Sequence, residues 1–115
     1  MNDIIFPFDV DKFFEKCVKH NIIPRNDFEK QAILIRLMRD FEDNRKYAEQ
    51  EVNEKLKKYF EDYTTLRREL INFGYMQRNN LNGEYWVVKR NLTKEYIKNN
   101  SVLRKHSKTY GISID

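Results

Sequence analysis

Hydrophobic residues recur along the first two thirds of the chain at spacings of three and four, which is the period of one helix face. This spacing predicts helices over residues 9–20, 27–41, 48–60 and 63–74. A proline separates the first two helices, and a glycine stands at the end of the fourth. The second helix has the widest apolar stripe, and Asp27 is its expected N-cap. We therefore expect it to be the central, buried helix.

The pattern after the fourth helix changes to one that predicts strands. Residues 75–78 and 84–89 form two runs, and an Asn-Gly pair between them is a turn signal for a hairpin. Residues 45–47 are expected to form a short strand or an extended segment. One more helix is expected from Thr93 onward, and the last few residues are expected to be loose.

The order of the central elements is helix, short strand, helix, helix and hairpin, which is typical of a winged helix-turn-helix. The predicted fold class is α+β, mainly α, with that motif over residues 27–90. An N-terminal helical extension (1–26) and a basic C-terminal extension (91–115) flank it, and the whole is expected to form one compact domain. A plain helical bundle with an appended β-hairpin is the alternative.

The composition fits one small folded protein. The chain has 115 residues, of which 40% are hydrophobic and 14% aromatic, enough for one core and against disorder. Its net charge of +4 lies in the C-terminal half, because residues 63–90 and 91–115 each hold five basic and two acidic residues. Residues 42–62 hold five basic and seven acidic residues. The basic half indicates a phosphate-bearing partner, with a solvated lysine-rich surface as the alternative.

The sequence indicates a soluble, cytoplasmic protein without a membrane partner. The first ten residues carry no basic residue, which a secretory signal would need, and the apolar run Ala32–Ile35 is far too short to span a bilayer. The lone Cys17 excludes an intramolecular disulfide and a multi-cysteine zinc cluster. A reduced compartment is the setting that fits this cysteine usage.

Two motifs carry a resemblance to a known family. Residues 47–56 follow the pattern Y-x-E-x-E-V-N-x-x-L, and residues 62–70 follow D-x-x-x-L-R-R-x-L. Together with the later Gly74, Arg78, Tyr85 and Trp86, they resemble the uncharacterised family called Domain of Unknown Function 2087, over about residues 25–90. The chain departs from the family pattern in having its own N-terminal helix, and Tyr59-Phe60-Glu61 where a histidine is usual. The resemblance implies a bacterial protein of a family whose members are described as transcriptional regulators, with no established mechanism.

The fourth helix is the expected DNA-reading element. At about 100° per residue, Leu66, Leu70 and Phe73 share one face, and the opposite face carries Arg68 and Asn72. That outward face is expected to enter the major groove of double-stranded DNA, while basic residues of the hairpin contact phosphates. The residues expected to bind DNA are Thr64, Thr65, Arg67, Arg68, Asn72, Arg78, Lys89 and Arg90.

Two observations leave other interpretations of the fourth helix open. Arg67 and Arg68 would serve only the fold if they paired with nearby glutamates at positions 51, 54 or 69. Ile71 is expected on the outward face of the fourth helix, and the third helix is acidic, which together favour a protein–protein interaction domain without DNA binding. Operators usually require dimers, and the terminal helices offer Phe13, Phe14 and Tyr96 for a homodimer contact.

No catalytic chemistry is expected, so the chain is predicted not to be an enzyme and to need neither cofactor nor metal. It contains no Gly-rich phosphate loop and no nucleophile motif, and its two histidines lack metal-ligand spacing. The glutamates at positions 49, 51 and 54 are expected to be a solvated helix start. Asn53 is expected to form a hydrogen bond across the motif, and Tyr85 and Trp86 to anchor the hairpin.

Overall fold

A computed structural model describes residues 3–112 of the chain. Within that range the chain is α+β and mainly α, as the sequence predicts. The elements are α1 (Val10–His20), α2 (Asp27–Met38), α3 (Glu49–Lys57), α4 (Tyr63–Asn72), β1 (Met76–Arg78), β2 (Tyr85–Val87), α5 (Lys94–Lys98) and α6 (Ser101–Lys108). Part of the expected loose C-terminal end, residues 113–115, lies outside the described residues.

Helix α2 is the buried centre, as its wide apolar stripe indicates. Four residues of its middle, at positions 31–34, are fully buried, and both of its last two residues are 1% exposed. The predicted N-cap is wrong by one residue. Asn26 has the extended backbone of a cap, and its Oδ1 accepts from the Glu29 amide at 2.9 Å. Asp27 is the first helical residue, and its own amide donates elsewhere.

Helices α3 and α4 follow one another after a five-residue connection. Asp62 is the N-cap of α4, because its Oδ1 accepts from the Thr65 amide at 3.2 Å. The chain leaves α4 through Gly74, whose φ of +78° is the left-handed conformation that glycine adopts without strain. The buried stripe of α4 is formed by Leu66 and Leu70.

Strands β1 and β2 pair antiparallel, with Gln77 opposite Trp86. Both strands are shorter than predicted, and the expected strand at residues 45–47 is reduced to one bridge. In that bridge Tyr47 and Tyr85 exchange two backbone hydrogen bonds of 2.8 Å each. The Tyr47 bridge nevertheless ties the segment before α3 to the hairpin.

The C-terminal segment contains two helices where the sequence predicts one. Asn100 interrupts the segment because its backbone is extended and its side chain caps α6, accepting from the Leu103 amide at 3.0 Å. The new helix start turns Leu103 into the interior, where it is fully buried.

Two hydrophobic clusters share α2. The larger one joins α1, α2, α3, α4 and the hairpin. The smaller one is built from Phe28 of α2, the C-terminal helices and the chain preceding α1, whose Ile4 amide donates to the Leu92 carbonyl at 2.9 Å. In this second cluster the Phe28 ring lies 5.1 Å from Phe6 and 5.4 Å from Tyr110. The two terminal segments therefore pack against each other and against α2.

Among residues 3–112, no helix is both long enough and apolar enough to cross a membrane.

Candidate nucleic-acid interface

The outward face of α4 carries the exposed residues that the sequence predicts. Arg68 and Asn72 are exposed, and Thr64 is half-buried beside them. Asn72 donates to Glu69 Oε1 at 2.9 Å, which orients its amide along the helix surface. Among the described residues, Arg68 forms no ion pair within 4.0 Å, so the proposed pairing with nearby glutamates does not occur. Its charge contributes to lowering the pKa of Asp62, and its side chain is exposed to solvent.

Arg67 lies on the flank of α4 and points toward α3. Its side chain is 16% exposed, and its Nη1 donates to Asn53 Oδ1 at 2.6 Å. Its Nε lies 3.8 Å from Glu49 Oε1. The expected hydrogen bond of Asn53 across the motif is therefore present, and Arg67 serves the packing of α4 on α3. Its partners differ from the three glutamates considered from the sequence.

Glu49 joins α3 and α4 to the hairpin. Its Oε1 accepts from the Tyr85 hydroxyl at 2.8 Å and lies 3.7 Å from Arg78 Nε. The hydroxyl hydrogen bond, followed by the charges of Arg67 and Arg78, lowers the pKa of Glu49. Burial and the same hydrogen bond raise the pKa of Tyr85. These residues and Asn53 form the Glu49 cluster. Glu49 and Asn53 lie in the first of the two sequence motifs and Arg67 in the second, while Arg78 and Tyr85 follow later in the chain.

The start of α4 is held by its own cap. The Thr65 hydroxyl donates to Asp62 Oδ2 at 2.6 Å, in addition to the backbone cap, and these bonds lower the pKa of Asp62. On the far flank of α4, Glu69 Oε2 accepts from Lys30 of α2 at 2.7 Å. Thr65 is therefore committed to capping, while the two flanks of α4 are fixed by Arg67 and Glu69.

Two basic residues after the hairpin, predicted to contact phosphates, contact the protein itself. Arg90 donates to the Met38 carbonyl at 2.8 Å and to the Phe41 carbonyl at 2.6 Å, and it pairs with Asp43. The Lys89 Nζ is buried, and it lies 3.4 Å from the ring centroid of Tyr96. Burial lowers the pKa of Lys89 to about 8.

Two further lysines lie near the candidate interface and were not predicted. Lys57, in the last turn of α3, is exposed, and its Nζ lies 4.9 Å from the ring centroid of Tyr63 at the start of α4. Lys46 is exposed and lies 3.7 Å from the ring centroid of Trp86 on the hairpin. The sequence signal for Lys57 is its place just before the connection between α3 and α4.

The residues that favoured other interfaces are packed within the chain. Ile71 is half-buried against the larger cluster, so it does not form an outward apolar face. Phe14 is 4% exposed, and Phe13 lies 5.0 Å from the ring of Phe8. Tyr96 is covered by Lys89. Of the three aromatic residues named for a homodimer contact, Phe14 is therefore buried, while Phe13 and Tyr96 are half-buried, and the homodimer stays a prediction.

The carboxylates of α3 are largely neutralised by neighbouring arginines. Glu49 faces two arginines in the Glu49 cluster. Glu51 accepts from the Ala48 amide at 2.9 Å and from Arg45 Nη2 at 3.0 Å. The carboxylates at the start of α3 therefore take part in hydrogen bonds and ion pairs within the chain. Over residues 3–112, no three side chains of His, Cys, Asp or Glu come together in a way that could hold a metal ion.

The fold and the Glu49 cluster define a small, mainly helical domain in which a helix pair and a hairpin are joined through one carboxylate. The chain belongs to the bacterial family described as "Uncharacterized protein conserved in bacteria (DUF2087)", whose profile matches residues 21–87. That span covers more than half of the chain and ends with β2, so it includes all of the Glu49 cluster and neither Lys89 nor Arg90. No curated protein and no solved structure matches the chain.

Proposed function

We propose that residues 27–90 form a winged helix-turn-helix that binds double-stranded DNA, and that the protein is a cytoplasmic transcriptional regulator. In this proposal α4 enters the major groove and the β1–β2 hairpin is the wing. The order of α2, the Tyr47 bridge, α3, α4 and the hairpin supports it, since this is the order of that motif.

The unpaired Arg68 carries the proposal. Both flanks of α4 are tied to the protein, through Arg67 to α3 and through Glu69 to α2, and Arg68 stands between them without an ion pair in the described part of the chain. An arginine on such a face suits a guanine edge in the major groove. Thr64 and Asn72 flank it as the further candidates for base contacts.

Phosphate contacts are assigned to basic residues that remain accessible. Lys57 is exposed at the C-terminal end of α3, and the Arg78 side chain is 38% exposed at the hairpin. Lys89 and Arg90 are left out because the Lys89 Nζ is buried and the Arg90 guanidinium donates to two backbone carbonyls. The neutralised carboxylates of α3 reduce the repulsion that its net negative charge would otherwise cause.

Binding to mixed genomic DNA fragments at two salt concentrations tests the proposal. We expect affinity to fall by at least about tenfold between about 50 and 200 mM salt, because each phosphate contact releases counterions. Arg68→Ala should weaken binding by about tenfold while its unfolding curve overlays that of the wild type. Arg25→Ala, which removes an exposed arginine before α2, is the matched control and should bind like the wild type.

The outcomes separate the two candidate functions. Equal binding by Arg68→Ala and Arg25→Ala would show that α4 is not the reading helix. No binding at the lower salt concentration would overturn DNA binding and favour the protein–protein interaction domain. One observation supports that second candidate: Leu81 in the hairpin loop is 97% exposed, and a large apolar side chain at a loop tip suits contact with another protein.

A further inference from the structure

A cleft with charged walls lies between α1 and α2. Its volume is about 460 Å³, which falls in the range of small-molecule sites. Side chains of α1 and α2 form most of its wall, and Tyr59, just after α3, closes one end. The lining includes Asp11, Val18, Lys19, Arg36, Arg39 and Tyr59. The cleft lies apart from the α4 face, so the inference does not depend on DNA binding.

Arg36 is the central group of this cleft. Its guanidinium carbon lies 4.9 Å from the ring centroid of Phe14 and 5.9 Å from that of Tyr59, so two aromatic rings fix its position. Its side chain is 24% exposed. The carboxylate oxygens within 4.0 Å of it belong to Asp11, at 3.7 Å, and Asp40, at 4.0 Å, and both distances are too long for hydrogen bonds. The N–H donors of the Arg36 guanidinium are therefore held in position, and neither carboxylate accepts a hydrogen bond from them.

The charges around the cleft disfavour an anion of more than one charge. Lys19, Arg36 and Arg39 face Asp11 and Glu15 in the lining, and Asp40, bound to Tyr59 and 4.0 Å from Arg36, balances the third basic group. Arg39 Nη1 donates to Asp11 Oδ1 at 2.8 Å, so Asp11 already acts as a carboxylate ligand at this place. The half-buried side chains of Val18 and Tyr59 supply apolar wall beside it.

We propose that this cleft binds a small monocarboxylate that carries a flat apolar group. The carboxylate takes the donor fork of Arg36 in the planar, two-bond manner that suits guanidinium. The apolar group lies against Val18 and Tyr59. Asp11 competes with the ligand because it holds Arg39 and stands closest to the Arg36 donors.

Amide chemical-shift titration of the full chain with benzoate tests this site. We expect a dissociation constant on the order of 1 mM for so small a ligand, with shifts centred on α1 and α2. Benzamide, the neutral analogue, should bind at least about tenfold more weakly, and the dianion phenyl phosphate should not exceed benzoate.

Three variants make the test specific. Arg36→Gln should weaken benzoate binding by at least about tenfold. Asp11→Asn should strengthen it by about threefold, because a competing carboxylate is removed, and a misfolded protein could not produce such a gain. Arg25→Gln alters an exposed arginine that lies outside the cleft lining and should leave the affinity unchanged.

Several results would overturn the inference. Benzoate and benzamide binding equally would show that the carboxylate is not recognised. Weaker binding by Asp11→Asn would show that Asp11 is not a competitor, and tighter binding of phenyl phosphate would exclude the monocarboxylate class. Absence of any shift at α1 and α2 up to about ten times the expected dissociation constant would exclude the site.

Discussion

Arg67 and Arg68 are adjacent in sequence but differ by about 100° in direction on α4, and this difference decides what each contacts. Arg67 meets Asn53 and Glu49 across the α3–α4 contact. Arg68 is exposed. A hydrogen bond from a charged donor at a half-buried site stabilises a fold by about 1.5–3 kcal/mol, whereas an exposed arginine contributes little. A substitution of Arg67 therefore tests stability, and a substitution of the adjacent Arg68 tests DNA binding.

Lys89 combines burial, aromatic contact and the absence of a hydrogen-bond partner. Its Nζ lies 3.4 Å from the ring centroid of Tyr96 and 4.7 Å from that of Tyr75. In the described part of the chain this amine has no acceptor. The rings attract the ammonium, but burial removes its water, and the net result is a pKa lowered to about 8.

Lys89→Met should change how stability depends on pH. Below pH 8 both the folded and the unfolded wild type carry the charge, so the cost of burying it is fully present. Between that value and the ordinary lysine pKa the unfolded chain binds more protons, so wild-type stability rises with pH. We therefore expect the variant to be more stable at pH 7, and its advantage to shrink by about 2 kcal/mol by pH 9.5, measured by urea unfolding.

Lys94→Met, an exposed lysine of α5, is the control for this titration. Its stability difference from the wild type should stay constant over the same pH range, because an exposed amine is surrounded by water in the folded and in the unfolded chain. A Lys89→Met advantage that also stays constant would mean that Lys89 remains protonated in the folded protein up to pH 9.5.

At the scale of elements, the two ends of α2 are held by residues from distant parts of the chain. His106 Nδ1 of α6 accepts from the Asp27 amide at 2.7 Å at the N-terminal end. At the C-terminal end, Arg90 donates to the Met38 carbonyl, which also accepts from the Phe41 amide at 3.1 Å, and to the Phe41 carbonyl. Both ends of the central helix are therefore closed by the segment that follows the hairpin.

Arg90→Lys should destabilise the protein by about 2 kcal/mol, because one ammonium cannot reach the Met38 carbonyl, the Phe41 carbonyl and Asp43 together. Urea unfolding measures the change. Arg104→Lys, at an exposed position of α6, should stay within about 0.5 kcal/mol of the wild type. An equally small effect of Arg90→Lys would mean that the guanidinium does not hold the end of α2.

The sequence predicts the elements well because their signals are local. Apolar spacing marks α1 to α4, and Gly74 marks the end of α4. Side-chain caps are also local, but several residues compete for each, which explains why Asn26 replaces the expected Asp27 and why Asn100 divides one predicted helix into two. Arg90 was predicted to face phosphate because its partners lie 47 to 52 residues away, and no spacing rule reaches that far.

At the candidate nucleic-acid interface, too, the sequence predicts local geometry but not contacts with distant parts of the chain. The outward position of Arg68 follows from helix geometry alone, and so does the burial of Leu66 and Leu70. Ile71 was expected to be outward for the same reason, but it packs half-buried against the larger cluster. The helix period predicts the direction in which a side chain points. How far that side chain is buried depends on which element packs against that side of the helix.

At the scale of the whole molecule, the two hydrophobic clusters are joined through α2. Ile35 packs against both clusters, and so does Tyr96. The terminal segments add a hydrogen bond from the Tyr110 hydroxyl to Glu29, which raises the pKa of Tyr110 to about 12. If one cluster came apart while the other stayed folded, apolar surface of α2 would be exposed to water. We therefore expect the described segments to unfold as one unit.

Leu103→Ala tests this coupling. Leu103 is fully buried in the smaller cluster, so its truncation should cost about 3 kcal/mol, whereas Val102→Ala next to it, at a position 48% exposed, should cost less than about 0.5 kcal/mol. Trp86 fluorescence reports on the hairpin and circular dichroism on the helices. If α2 couples the clusters, Leu103→Ala lowers both unfolding midpoints equally. The contrary result is an unchanged midpoint by Trp86 fluorescence together with a lower midpoint by circular dichroism. It would mean that the terminal segments unfold separately from residues 21–87, which match the family.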